Sequence, residues 1–111
     1  MEQQELVLTR SRVEDARSKA GELGIPFAVD RVGHEAGPVI CLIERPDLGF
    51  SLAVERPGVW DHRHFDQPVS ADAVHREIAR LLAEQPGSWL VMVRDPDGRT
   101  PFEPPPHPED A

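Results

Sequence analysis

Cysteine is almost missing from this chain: Cys41 stands alone among 111 residues. That excludes an intrachain disulfide and a thiolate zinc cluster. The lone thiol sits in the apolar run Val39-Ile-Cys-Leu-Ile43, where it is expected to be buried, protonated and inert. Long apolar runs are absent too, and none approaches the roughly 20 residues that a membrane span needs. The opening Met-Glu-Gln-Gln-Glu carries neither the basic nor the apolar stretch of a secretory signal, so a soluble cytoplasmic protein is expected. Positive charge is scarce, with 12 Lys and Arg against 20 Asp and Glu and a net charge of −8. Such a balance disfavours a nucleic-acid backbone or an anionic membrane and suits a basic protein partner. Neither G-x-G-x-x-G nor a Walker loop occurs, and no G-x-S-x-G elbow presents a serine. No cofactor and no catalytic residue are therefore assigned.

What remains reads as one domain over residues 1–102, followed by a tail. The tail, Glu103-Pro-Pro-Pro-His-Pro-Glu-Asp-Ala111, holds four prolines in nine residues and is expected to stay solvated, without a helix or ladder. Charged residues at 29% and hydrophobic ones at 39% describe an ordinary globular remainder.

Glu5–Thr9 reads as a first strand. Ser11 and Glu14 have capping-box spacing, which predicts a helix from about Arg12 to Leu23 with Val13, Ala16, Ala20 and Leu23 on one face. Gly24 suits its left-handed end, and Pro26 prevents continuation. Phe27–Val32 is a second strand. Val39–Ile43 is a third, apolar enough to be covered on both faces. Arg45–Gly49 closes a hairpin onto the alternating strand Phe50–Glu55. Ser70 caps a second helix with Val74, Ile78, Leu81 and Leu82 as its apolar stripe and His75 on the border. Trp89–Val93 is a final buried strand, and Thr100–Phe102 can return briefly along a sheet edge. The order β-α-β-β-β-α-β predicts an α+β fold: a mixed sheet of about five strands with two helices packed against it, in a sandwich related to the ferredoxin-like one. The predicted core comprises Val39, Cys41, Ile43, Leu52, Val54, Ile78, Leu82, Leu90 and Met92.

One segment resists this scheme. Pro57-Gly-Val-Trp-Asp-His-Arg-His-Phe-Asp-Gln-Pro68 gathers two histidines, two aspartates, an arginine and two aromatics between prolines. It reads as a loop, and recognition chemistry concentrates on loops held by a rigid scaffold. Trp and Arg are enriched in binding hot spots. Trp60, Asp61, His62, Arg63, His64 and Phe65 are accordingly the candidate partner-binding residues. In an extended segment His62 and His64 point to one side, the start of a metal site, but no further ligand has suitable spacing and no metal is assigned.

Three functions fit. The first is a non-enzymatic, acidic, protein-binding module of the inhibitor, immunity-protein or antitoxin kind, recognising its partner through the 57–68 loop. The second is a small metal-dependent or His/Asp acid–base enzyme using the same loop. The third, by analogy of fold alone, is a small-ligand-binding regulatory domain. An uncovered sheet edge would add homodimerisation.

Overall fold

A computed structural model describes residues 8–57, 59–66 and 70–102. The tail from residue 103 and residues 5–7 of the expected first strand lie outside them. The described elements run α1 (Thr9–Leu23), β1 (Phe27–Arg31), β2 (Val39–Arg45), β3 (Gly49–Arg56), β4 (Val59–Asp66), α2 (Ala71–Glu84) and β5 (Trp89–Arg94). The strands form one mixed sheet in the order β1-β5-β2-β3-β4. β2, β3 and β4 make an antiparallel meander, β5 returns parallel to β2, and β1 pairs antiparallel with β5.

The α+β class and a mixed five-stranded sheet with two helices are as expected, but the described order is α-β-β-β-β-α-β and not β-α-β-β-β-α-β. Thr9 of the expected first strand opens α1, and the fifth strand is β4, from the 57–68 segment. The helices take opposite faces, where a ferredoxin-like sandwich keeps both in one layer. Strand side chains alternate between faces. Odd-numbered residues of the central strands (Val39, Cys41, Ile43, Ala53, Trp89, Val91, Val93) pack with Val13, Ala16 and Ala20 of α1. Even-numbered residues (Ile40, Leu42, Leu52, Val54, Leu90) pack with Val74, Ile78 and Leu81 of α2. β2, covered twice, is buried from Val39 to Ile43. Burial pushes the Cys41 thiol up to about 12, so it stays protonated.

The α1 start differs from the capping-box expectation. The helix begins at Thr9, not Arg12; Leu8 precedes it without a side-chain cap, and Ser11 lies inside the first turn. Thr9 is buried, donates its N–H to the Glu35 carbonyl at 2.8 Å and its hydroxyl to the Gly37 carbonyl at 2.7 Å. Tertiary contacts thus hold a helix end that the local sequence does not cap. Leu23, expected on the buried face, is 42% exposed. The other end follows the sequence: Gly24 is left-handed at φ 72°, and Ile25 N–H reaches the Ala20 carbonyl. Ser70 caps α2 as expected, its hydroxyl oxygen accepting from Ala73 N–H at 3.1 Å.

Gly37 has a stricter requirement. A Cβ there would meet the Gly87 carbonyl oxygen at 2.0 Å, so glycine lets the 33–38 connector lie directly on the turn before β5.

Of the predicted core, Leu82 is only partly buried and Met92 is 37% exposed. Met92 faces the α2 side next to edge strand β1, beyond the strip that α2 covers. His75, expected at the border of the stripe, is exposed. Thr100–Phe102 forms a bend and no strand, yet it places Phe102 in the α1-side core at 5% exposure.

Candidate functional site: the β4 edge and its adjoining cleft

The 57–68 segment is chiefly strand and not loop. Val59–Asp66 forms β4, paired with β3 without interruption from Arg56↔Val59 to Gly49↔Asp66. Its identity as a strand follows from position. As the outermost strand of the meander it is only half covered on each face, so polar side chains cost little there. Gly58 and residues 67–69 lie outside the described residues.

Pairing splits the expected cluster in two. Trp60, His62 and His64 face α1, opposite Glu55, Ala53 and Ser51, while Asp61, Arg63 and Phe65 face α2, opposite Val54, Leu52 and Phe50. On the α2 face, Arg63 donates to Glu77 of α2 and to Asp61 at 3.2 Å, and Phe65, like Phe50 and Leu82, packs against the α2-side core. Glu77 also accepts from Arg80. The Arg80 hydrogen bond, assisted by the charges of Arg80 and Arg63, holds the Glu77 carboxyl below its usual range despite partial burial. Arg63 therefore clamps the strand to the helix.

On the α1 face, Trp60 packs against the core cluster and lies 5.5 Å from Phe102, rings tilted by 35°. His62 and His64 are exposed. His64 Nδ1 is 2.9 Å from the Ser51 hydroxyl. Ser51 is only 2% exposed, so its hydroxyl is not presented to an incoming substrate. The two imidazoles share a side as expected for an extended segment, but Asp61 is on the other face and Asp66 accepts from Arg45 at 2.7 Å. Among the described residues no group of three or more His, Cys, Asp or Glu could hold a metal ion.

Beside β4 opens a cleft of about 660 Å³ between α1 and the β3–β4 hairpin. Trp60 and Phe102 supply its aromatic lining, and Arg12, Glu55 and Arg56 are among its polar groups. Glu55 organises this wall: it takes a two-pronged hydrogen bond from Arg12, both at 2.7 Å, and accepts the Val39 N–H at 3.1 Å. Sequence reading missed Arg12, Glu55 and Phe102. They are brought together from positions 12, 55 and 102, and nothing local marks them.

No protein-family model matches the sequence, and no curated protein matches it. Solved structures do resemble the fold. The crystal structure of a DUF1491 family protein from Caulobacter crescentus CB15 superposes with a TM-score of 0.72 at 22% identity, covering 91% of this chain and 97% of that one. An NMR structure of a DUF1491 family protein from the same organism gives a TM-score of 0.72 at 22% identity over 92% of this chain and 97% of that one. The solution structure of protein Atu0922 from A. tumefaciens gives 0.67 at 14% identity over 82% and 87%. At these identities the likeness is one of fold: this chain shares its α+β architecture with the DUF1491 family structure of C. crescentus along nearly its whole length.

Proposed function

We propose that this protein is a non-enzymatic recognition module that takes an extended segment of a protein partner along the outer edge of β4. A side chain of that segment would reach the cleft over Trp60 and Phe102. The observation that carries this reading is the regular eight-residue edge strand itself. An edge strand presents a row of backbone N–H and C=O groups without a neighbour, a template for strand addition. The opposite edge is a poorer template: β1 has five residues, and its register with β5 shifts between Val29 and Arg31. The net charge of −8 favours a basic partner segment.

The acid–base reading draws less support, since Ser51 is buried and the aspartates flanking the histidines bond to arginines. The test begins with affinity capture and identification of the partner, followed by direct titration of the purified pair. His62→Lys/His64→Lys sets two positive charges on the exposed edge and should weaken binding of a basic segment by about tenfold or more, because like charges then meet across the interface. A folded double variant that binds with wild-type affinity would refute the reading.

A further inference from the structure

We propose that β4 also pairs with β4 of a second copy of this chain, antiparallel and centred on His62, so that self-association masks the edge offered to a partner. This inference rests on the reading of β4 as a recognition edge. A two-fold axis perpendicular to the sheet keeps like faces together, and it therefore opposes residues of equal parity. The strand sequence Val59-Trp-Asp-His-Arg-His-Phe-Asp66 then selects among the few registers available.

Centring on Asp61 sets Asp61 against Asp61, and centring on Arg63 sets Arg63 against Arg63; like charges directly opposite are unfavourable. Centring on His64 pairs only residues 62–66 and leaves Trp60 and Asp61 unopposed. Centring on His62 pairs the whole of 59–65. It places Asp61 opposite Arg63 twice on the α2 face and Trp60 opposite His64 twice on the α1 face. Val59, which is 45% exposed, falls opposite Phe65. Asp61 and Arg63 already share the α2 face at 3.2 Å with side chains partly exposed, so both can reach across the axis. The result is a continuous ten-stranded sheet in which each copy covers the other's long edge.

Sedimentation of the full chain from about 1 μM to 1 mM measures the association, the span expected of an interface smaller than the standard class. Asp61→Arg and Arg63→Asp should each weaken it by about tenfold or more, because two attractive cross-strand pairs become repulsive. An equimolar mixture of the two variants should recover it, since every cross-strand pair is then complementary. Arg63 also bonds Glu77, so a second pair of variants guards against misfolding. His62→Cys and His64→Cys change exposed residues away from Arg63 and Glu77, although His64→Cys also gives up the hydrogen bond to Ser51. On the axis, the two residues 62 lie about 5 Å apart by Cα, within disulfide range. The two residues 64 lie about 14 Å apart, which is outside it. Mild oxidation should cross-link His62→Cys far faster than His64→Cys. A wild-type chain still monomeric at 1 mM, or His64→Cys linking as fast as His62→Cys, would overturn the proposal. Neither result touches partner binding measured at dilution, and loss of partner binding would leave the self-association result standing.

Discussion

Truncating Trp60 to alanine separates a structural role from a recognition role for the most prominent aromatic of β4. A side chain free for a partner would be removable with little effect on folding. Here the indole packs on the α1-side core and meets Phe102 at 5.5 Å. A fully buried Trp→Ala change costs about 3–5 kcal/mol. Trp60 is half-buried, so about 2 kcal/mol is expected, of which about 1 belongs to the ring pair. For a chain near 111 residues that corresponds to a fall in Tm of about 8 °C. Urea unfolding followed by far-ultraviolet circular dichroism gives the value directly, and it avoids relying on fluorescence from the residue removed. A double-mutant cycle with Phe102→Ala isolates the pair and should return a coupling near 1 kcal/mol. A loss below about 0.5 kcal/mol together with a coupling indistinguishable from zero would refute the packing argument and return Trp60 to the surface.

Glu55→Ala should cost about 2–3 kcal/mol in the same unfolding assay, mostly because the N–H of fully buried Val39 loses its acceptor. Arg12→Ala, which removes a part-exposed ion pair but leaves that acceptor, should cost about 1 kcal/mol or less. Ile78→Ala should cost about 2–5 kcal/mol, since the side chain is 5% exposed beneath α2, and a loss under about 1 kcal/mol would contradict that burial. Asp95 governs a pH effect: the side-chain hydrogen bond from Arg99, with the backbone N–H groups of Arg99 and Asp97, holds its carboxyl below the usual range, although burial opposes this. A lowered native pKa contributes stability that is full above the unfolded value of about 3.9 and is lost as pH falls through the native one. Tm measured from about pH 6 down to 2.5 should therefore fall less steeply for Asp95→Asn than for the wild type over the acid end.

Where a local pattern coincided with the environment it implied, it was legible in advance. The apolar run at 39–43 became the doubly covered strand β2, the alternation from Phe50 became β3, and the stripe of Val74, Ile78 and Leu81 became the buried face of α2. Gly24 and Ser70 ended and began helices as their backbone and side-chain chemistry requires. In each case the deciding interaction spans a few residues, or a periodicity meets a uniformly apolar layer.

β4 was illegible for the opposite reason. Its two aromatics are five residues apart and so lie on opposite faces, and the polar residues between them face partly covered surfaces on both sides. No period-2 contrast is left to read. The start of α1 depends on carbonyls of Glu35 and Gly37, far along the chain from Thr9. The cleft depends on bringing Glu55 to Arg12 and Phe102 to Trp60, separations of more than forty residues each. The sequence alone determined that this is an acidic α+β domain with a single inert thiol and an unusual cluster at 60–65. Only the tertiary structure decided that the cluster is an edge strand divided between two faces, because edge position and strand pairing arise from contacts that no local pattern encodes.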